Sequence, residues 1–280
     1  MADGGDNRIR VALSIAGSDP SGGAGIQADL KTFTALGVYG ASVITALTAQ
    51  NTVGVTGVFA IPPQFIGQQL DAVASDLNIT AVKTGMLGDT ATVDAVVEGI
   101  MRHRFQAVIV DPVMVATSGG VLLAADAIAA VRSRLLPLAS LITPNLHEAA
   151  KLLETTVALN VVQMEEQGRR LLELGPGAVL IKGGHATGAE AIDVLVTRNR
   201  TVHISAPRVQ TRNTHGTGCT LSAAIAGYMA QGSELEHAVQ NAKSFLTEAL
   251  KAGSSQQLGA GAGPVDHLYS IQGSKPVDQR

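Results

Sequence analysis

The sequence predicts an α/β fold in which helices cover a mostly parallel sheet. Short apolar runs typical of buried strands recur along the chain, separated by glycine- or proline-containing loops and amphipathic segments. This alternation favours one doubly wound domain. The predicted strands are residues 10–16, 41–49, 81–84, 106–110, 141–142 and 179–181. Two alternating segments, 192–196 and 201–205, instead predict an antiparallel hairpin at one edge of the sheet.

The composition limits the classes of function. The chain has 280 residues, of which 46% are hydrophobic and 15% charged, so a large core is available and disorder is disfavoured. A net charge of −3 without a basic run argues against nucleic acid as a partner. One cysteine and no signal-peptide pattern favour the cytoplasm, and the apolar runs are too short for a membrane span. We expect a single domain over residues 1–280, with residues 1–7 frayed.

The first loop and helix indicate close approach to a small ligand. Residues 17–25 contain four glycines and a proline after the first strand, and residues 26–33 continue as an amphipathic helix. The spacing matches neither a dinucleotide fingerprint nor a Walker loop. The glycines therefore indicate backbone that lies against a small molecule.

Two residues are candidates for contacts to a flat ring. Gln50 follows the strand at 41–49, and its amide can offer both a donor and an acceptor to a heteroaromatic edge. A polar cap on a loop is an equally good interpretation of Gln50. Met86 could form a wall of a flat pocket, although core filling is the commoner role of methionine.

Charged side chains follow three later strands. Asp111 and Glu148 could together hold Mg²⁺ or its waters through hard oxygen ligands. A charge that favours the helix dipole explains Glu148 equally well. Lys182 follows the strand at 179–181 beside two glycines, where it could meet a polyphosphate.

Residues 213–220 read as a glycine-rich turn that opens a helix. Gly216 and Gly218 permit backbone conformations that a Cβ would hinder, and free N–H groups at a helix start favour an anion such as a phosphate. Cys219 would lie on the first turn. Taken alone, the turn is more typical of an ordinary tight turn with a small buried cysteine than of an anion site.

Five segments in order, 16–29, 43–52, 141–149, 181–185 and 213–220, together resemble the hydroxymethylpyrimidine/phosphomethylpyrimidine kinase family of thiamine biosynthesis. A weaker sixth is residues 261–265. The resemblance implies a ribokinase-like three-layer αβα sandwich, with the hairpin at the edge of its mostly parallel sheet. It also implies a homodimer that uses ATP and Mg²⁺ to phosphorylate 4-amino-5-hydroxymethyl-2-methylpyrimidine and then its monophosphate.

The resemblance also implies roles for individual residues. The ring would be bound by Gly17, Asp29, Gln50, Met86 and Val113. Metal and phosphates would be organised by Asp111, Asn145, Glu148 and Lys182. The anion hole would consist of Gly216, Thr217, Gly218 and Cys219. Many ribokinase-like sugar kinases have an aspartate base at the position of Cys219, so a base here would be a thiolate. A helix N-terminus lowers a thiol pKa from about 8.5, which predicts a thiolate near neutral pH.

Three other functions remain open on the sequence. Pyridoxal kinase, or a kinase with both substrates, fits the same scaffold and cysteine. A cysteine nucleophile for acyl transfer would need His215 or His185 beside Cys219, and the sequence does not position such a pair. A sensor that only binds the pyrimidine is disfavoured by the presence of Asp111, Glu148 and Lys182.

Overall fold

An eight-stranded sheet forms the centre of the molecule. The computed structural model describes residues 9–115, 122–184 and 188–272. The strands are β1 (Val11–Ala16), β2 (Tyr39–Ile44), β3 (Ala46–Gln50), β4 (Val55–Ala60), β5 (Ile79–Thr84), β6 (Val108–Val110), β7 (Leu141–Ile142), β8 (Ala178–Ile181), β9 (Glu190–Thr197) and β10 (Thr201–Pro207). The central sheet has the order β10-β9-β8-β7-β6-β5-β1-β2. Its strands from β8 to β2 are parallel, as predicted.

Helices cover both faces of this sheet. They are α1 (Gly25–Ala35), α2 (Pro63–Ala74), α3 (Thr90–His103), α4 (Ala125–Ala130), α5 (Leu146–Leu153), α6 (Val161–Leu172), α7 (Thr217–Ala230), α8 (Leu235–Gly253) and α9 (Tyr269–Gln272). Alternate side chains of a strand point to opposite faces, so Leu13 and Ile15 of β1 join one core while Ala12 joins the other. Helices α2 to α6 pack on the first core, and α1, α7 and α8 on the second. The result is the expected three-layer αβα sandwich. Within the described part, no helix has both the length and the apolar character that crossing a membrane requires.

The hairpin predicted at the sheet edge is confirmed. Strand β10 pairs antiparallel with β9 from Thr201 opposite Val196 to Pro207 opposite Glu190. Strand β9 also runs antiparallel to β8, so the chain reverses direction at this edge of an otherwise parallel sheet. The hairpin leads directly into the turn that starts α7.

The single strand expected at residues 41–49 is wrong. The chain breaks at Thr45 into β2, which belongs to the main sheet, and β3, which pairs only with β4 in a separate two-stranded ribbon. The N–H of Thr45 still bonds to the carbonyl of Ala16, but Ala46 then accepts from Ser18 in the loop after β1. Both halves are rich in strand-forming residues, so periodicity does not reveal the break. Gln50 therefore reaches the site from the ribbon.

The parallel strands place their following loops at one edge of the sheet. Strands β1, β5, β6, β7 and β8 all end there, and ligands of open α/β sheets bind at such carboxyl edges. Isolated bridges extend the pairing beyond the strands, joining Asn145 to Lys182 and His215 to Pro264. These bridges bring the start of α5, the end of β8 and the turn before α7 to one place.

Candidate active site

A cavity of about 730 Å³ opens along this carboxyl edge. Almost all of the site residues predicted from the sequence line it: Gly17, Gln50, Met86, Asp111, Val113, Asn145, Glu148, Lys182, Gly216, Thr217, Gly218 and Cys219. Asp29 is not among the lining residues. The sequence motifs therefore converge on one space, although they come from distant parts of the chain.

The start of α7 lies directly against the charged part of the cavity. Gly216 is the N-cap and has φ 75°, and a Cβ there would lie 1.9 Å from the carbonyl oxygen of Gly23. A Cβ on Gly218 would lie 3.3 Å from Lys182 Nζ. The N-cap glycine offers no side chain to the first-turn N–H groups, which suits this turn to an anionic ligand.

Lys182 joins the two carboxylates that face this turn. Its Nζ donates to Asp111 Oδ1 at 2.7 Å and lies 4.0 Å from Glu148 Oε2. Asp111 is 1% exposed and also accepts from the hydroxyls of Thr143 and Ser222, each at 3.2 Å. Although burial opposes ionisation, the Lys182 and Lys83 charges hold the pKa of Asp111 below its ordinary value. The ammonium is therefore held at the cavity wall, beside the start of α7.

Glu148 caps a helix and also lines the cavity. It occupies the third position of α5 in a capping box, where Asn145 N donates to Glu148 Oε2 at 2.7 Å and Asn145 Oδ1 accepts from Glu148 N at 2.9 Å. It also lines the cavity. Burial raises the pKa of Glu148 to about 7. The Lys182 charge acts against this rise, and the smaller repulsion from Asp111 adds to it.

Cys219 stands on the first turn of α7, as predicted, but its thiol is not activated there. Burial is the largest influence and raises the pKa of Cys219 above its ordinary value. Lys83 acts in the opposite direction, while the carboxylates of Asp29 and Asp111 add to the rise. The expected thiolate near neutral pH is therefore wrong for the ligand-free site, since the loss of solvation outweighs the favourable charges.

The predicted contact of Asp29 with a substrate ring requires correction. The Asp29 side chain is fully buried and binds Lys83 Nζ at 3.0 and 2.9 Å, while Ser14 Oγ donates to it at 2.5 Å. Lys83, from the end of β5, is the member of this pair that reaches the cavity wall. Although burial disfavours its charge, Asp29, Cys219 and Asp111 raise the pKa of Lys83. The sequence does not predict this role of Lys83, because a lysine within an apolar strand belongs to no motif.

A second pair, Asp19 and His215, was also missed. Asp19 Oδ2 accepts from His215 Nε2 at 2.8 Å and from the N–H groups of Gly23 and Ala24 at 3.1 and 2.8 Å. Burial opposes the ionised form, but these bonds and those from Ser21 lower the pKa of Asp19 to about 2. The pair ties the first glycine loop to the turn before α7. Its signal in the sequence was one acidic residue among the glycines of residues 17–25.

The predicted ring contacts form one end of the cavity. A Cβ on Gly17 would lie 3.2 Å from Met86 Cε, so the glycine leaves just the room that the thioether needs. Val113 adds an apolar side chain from the loop after β6, and Gln50 a polar amide from the ribbon. A slot with apolar walls and one polar edge suits a flat heteroaromatic ring.

The other end of the cavity contains a third buried ion pair. Lys243 Nζ from α8 lies 2.7 Å from Asp193 Oδ2 of β9, and Asp193 Oδ1 accepts from Gly183 N at 2.8 Å. Apolar side chains continue beyond the pair and line the cavity wall: Pro207, Val209, Leu246 and Leu250. The sequence analysis missed this end, because it is assembled from an edge hairpin and a distant helix.

His185, proposed as an alternative partner of Cys219, lies outside the described residues. The other proposed partner, His215, has its Nε2 directed to Asp19.

The comparisons with known proteins agree with this geometry. The family described as phosphomethylpyrimidine kinase matches residues 19–266. The chain is 54% identical to the hydroxymethylpyrimidine/phosphomethylpyrimidine kinase of Escherichia coli (strain K12), covering 92% of this chain and 97% of that protein. The chain belongs to the phosphomethylpyrimidine kinase family. It is a kinase related to enzymes of thiamine biosynthesis.

Solved structures confirm the ribokinase-like fold. Phosphomethylpyrimidine kinase from Clostridium difficile 630 aligns with a TM-score of 0.77 at 44% identity, covering 87% of this chain and 100% of that one. Pyridoxal kinase from Staphylococcus aureus, in complex with AMP-PCP and pyridoxal, aligns with a TM-score of 0.85 at 32% identity, covering 93% and 94%. Family membership and this complex with an ATP analogue support ATP as the phosphate donor.

The donor set fits a magnesium ion that keeps several waters. Within the described ranges, no cluster of three or more His, Cys, Asp or Glu side chains could form a full protein cage. Mg²⁺ is commonly held by one or two carboxylates together with substrate phosphates. Asp111 and Glu148 are two such carboxylates, and both line the cavity.

Proposed function

We propose that this enzyme phosphorylates the hydroxymethyl group of 4-amino-5-hydroxymethyl-2-methylpyrimidine and then adds a second phosphate to the monophosphate. The observation that carries the proposal is the single cavity, which has a flat polar-edged slot at one end and the lysine and carboxylates beside the α7 start. Both phosphorylations use that one site. The product is the pyrimidine diphosphate of thiamine biosynthesis.

Gly17, Met86 and Val113 form the walls around the pyrimidine ring, and Gln50 reads its edge. An amide can pair at once with an amino group and an adjacent ring nitrogen, because it carries one donor and one acceptor side by side. Asp29 does not touch the ring; it positions Lys83, which it binds beneath the cavity wall.

Lys182 and the residues that start α7 bind the phosphates. The N–H groups of Gly216, Thr217, Gly218 and Cys219 form the anion hole, which stabilises charge on the transferring phosphoryl group. Asn145 orients Glu148, which together with Asp111 holds Mg²⁺. The ion supplies charge neutralisation across the nucleotide phosphates.

Cys219 takes part in proton removal only in the first reaction. The alcohol must lose its proton as the phosphoryl group arrives, whereas the monophosphate is already an anion. In a loose transition state, positioning and charge stabilisation dominate, so the alcohol can lose its proton late. A thiol that is not ionised beforehand can then relay the proton, giving its own proton to a phosphate oxygen as it takes the proton of the alcohol. The buried environment of Cys219 is consistent with such a late role.

The remaining features of the proposal rest on composition and resemblance. The whole chain acts as one kinase domain that works in the cytoplasm as a homodimer. Its ligands are the pyrimidine and ATP, and neither nucleic acid nor a membrane takes part. Equilibrium sedimentation of the purified chain tests the dimer, and a monomer at micromolar concentration would contradict it.

Pyridoxal phosphorylation is a second candidate activity. It is favoured by the close similarity in fold to the Staphylococcus aureus enzyme solved with pyridoxal. Pyridoxal has a flat ring and a hydroxymethyl group, so the same slot and anion hole could accept it.

Release of ADP, measured separately with the pyrimidine alcohol, its monophosphate and pyridoxal, tests the proposal. We expect turnover of the first two substrates, dependent on Mg²⁺, with a higher kcat/KM for the pyrimidine alcohol than for pyridoxal. Efficient turnover of pyridoxal alone would assign the second activity instead. Binding of the pyrimidine without ADP formation would contradict both.

A further inference from the structure

The amide of Gln50 lies between two groups whose hydrogen-bonding directions are fixed. On one side is His215, whose Nε2 lies 2.8 Å from Asp19 Oδ2. Asp19 is an ionised acceptor, since it receives the N–H groups of Ser21, Gly23 and Ala24. His215 Nε2 must therefore carry a proton, which points to Asp19, and the nitrogen has no lone pair with which to accept from the Gln50 amide.

On the other side is the hydroxyl of Thr48. Its oxygen lies 2.8 Å from the carbonyl oxygen of Ser18, which can only accept. The single proton of Thr48 is committed to that bond, so the hydroxyl can only accept from Gln50. The two neighbours of the amide thus have opposite requirements.

These requirements select one orientation of the amide. With Gln50 Nε2 at 3.4 Å from His215 Nε2 and Oε1 at 3.2 Å from Thr48 Oγ1, two donors face each other at His215 and no proton is left at Thr48. A half-turn of the terminal amide exchanges its oxygen and nitrogen and moves no other atom. The contact with Thr48 then joins a donor to an acceptor, and at His215 the amide oxygen faces the N–H end of the ring instead of a second donor.

We propose that His215 and Thr48 lock the Gln50 amide with its oxygen towards His215 and its NH₂ towards Thr48, and so act as positioning residues that set substrate specificity. This inference rests on the proposed pyrimidine kinase function. In this orientation the amide NH₂ donates to Thr48, whose hydroxyl donates to the carbonyl of Ser18. The amide oxygen faces the N–H of His215, which itself donates to Asp19. One amide N–H and one carbonyl lone pair remain for the ligand.

The lock determines which way the ring enters. The 4-amino group must meet the amide oxygen on the His215 side, and ring N3 must meet the NH₂ on the Thr48 side. The carbon that bears the hydroxymethyl group adjoins the amino-bearing carbon, so the hydroxymethyl group also lies on the His215 side. There the chain enters the turn from Gly216 to Cys219. The reverse amide orientation would turn the reacting alcohol away from that turn.

The 4-oxo analogue of the pyrimidine alcohol distinguishes a locked amide from a free one. It has almost the same shape, but its ring N3 carries a proton and its exocyclic oxygen accepts, so its hydrogen-bonding pattern is reversed. Each mismatched hydrogen bond costs roughly a tenfold loss of affinity. A locked Gln50 must reject this analogue, whereas a Gln50 free to turn can adapt to it.

The test measures kcat/KM by ADP release for the 4-amino and 4-oxo alcohols. We expect His215→Leu and Thr48→Val each to lower the ratio of the two values by about tenfold or more, mainly through KM. His215→Asn keeps an N–H donor and should retain part of the preference. Thr56→Val is the matched control, because the Thr56 hydroxyl bonds only to the carbonyl of Ala49 in the same ribbon, and it should keep the wild-type ratio.

The possible outcomes separate the lock from the proposed function. Wild-type phosphorylation of the 4-amino alcohol, with an unchanged ratio in folded Thr48→Val and His215→Leu, would overturn the lock and leave the function standing. If His215→Leu does not fold, Thr48→Val decides alone. A wild-type enzyme that phosphorylates neither alcohol would refute the function, and the lock with it.

Discussion

Cys219 combines a position at the cavity wall, on the first turn of α7, with a thiol whose pKa is raised by burial. The chain contains no other cysteine, so its chemistry can be followed without interference. Its neighbours include both signs of charge, with Lys83 on one side and Asp29 and Asp111 on the other. The same residue can therefore be tested in catalysis and in chemical labelling.

Replacement of Cys219 by alanine should impair the first phosphorylation more than the second. The alcohol must lose a proton, whereas the monophosphate acceptor is already charged and relies on the anion hole and Lys182. A proton acceptor contributes roughly 10²-fold or more where it is needed. The measurement is kcat for both substrates with the purified Cys219→Ala variant. Equal losses for the two would show that the thiol has no part in proton removal.

Alkylation of Cys219 by iodoacetamide should still accelerate above pH 9 in the ligand-free enzyme. The thiolate is the form that reacts with iodoacetamide. Because the pKa of Cys219 is raised, the thiolate fraction should still increase at pH values where an ordinary thiol is already ionised. Mass spectrometry of the labelled chain between pH 6 and about 10 gives the rate. A plateau near pH 7 would show instead that the thiol is activated.

At this scale, residue types in motifs were predictable and their partners were not. The sequence indicated Asp111, Glu148 and Lys182 because each follows a predicted strand. It did not indicate Lys83, and it indicated His215 only as a possible partner of Cys219. The partners that the structure shows for these residues, Asp29 and Asp19, lie 54 and 196 positions away in the chain. A pairing across such a separation leaves no local pattern.

At the scale of elements, hydrogen bonds of Asn213 hold the glycine-rich segment before α9 against the turn that precedes α7. Asn213 is 3% exposed, and its Nδ2 donates to the carbonyls of Gly253 and Gln256, both at 2.7 Å. Its Oδ1 accepts from Gly263 N at 3.2 Å, and the Gly263 carbonyl in turn accepts from His215 N. One side chain thus joins the end of α8, the late loop and the turn before α7.

Asn213→Ala should lower the free energy of unfolding by about 2–3 kcal/mol, because it leaves buried backbone groups without partners. Urea unfolding followed by circular dichroism gives the value. Asn51→Ala provides the matched control: its Oδ1 accepts from Val53 and Gly54 in an exposed loop, and its loss should cost less than about 1 kcal/mol. Equal costs for the two variants would contradict a structural role for the buried network.

The ribbon of β3 and β4 shows why the sequence did not predict where β2 ends and β3 begins. Residues 41–49 have one uninterrupted strand-like composition, yet Thr45 leaves the main sheet because its neighbours bond to the loop after β1. That loop is distant in sequence and adjacent in space. The position of Gln50 therefore depended on a contact that strand propensity does not contain.

At the scale of the whole molecule, the nucleotide should act as a link between separate elements. Its proposed contacts come from β6, α5, the end of β8 and the start of α7, so binding should stabilise the folded chain as a unit. A ligand at 100 times its Kd adds about 2.7 kcal/mol to folding stability. For a chain of this size we expect a rise in Tm of several degrees.

Mg²⁺ should increase the thermal shift produced by ADP in the wild-type enzyme, because Asp111 and Glu148 would hold the ion against the phosphates. In Asp111→Asn we expect the increment from Mg²⁺ to be largely lost. Asp94→Asn is the control, since Asp94 forms only a surface ion pair with Arg134. Scanning calorimetry with ADP, with and without Mg²⁺, measures this. An unchanged Mg²⁺ increment in Asp111→Asn would remove Asp111 from the metal site.

The sequence by itself determined the α/β class, the parallel sheet with its edge hairpin, and the family, because apolar periodicity and ordered glycine motifs are properties of neighbouring residues. The tertiary structure alone decided which carboxylate touches the cavity, how Cys219 is protonated and what surrounds Gln50. These properties depend on burial and on charges brought together from distant parts of the chain. Asp29 illustrates the difference: its motif was recognised from the sequence, but only folding showed that Asp29 is buried against Lys83 and that Lys83 is the one of the two that lines the cavity.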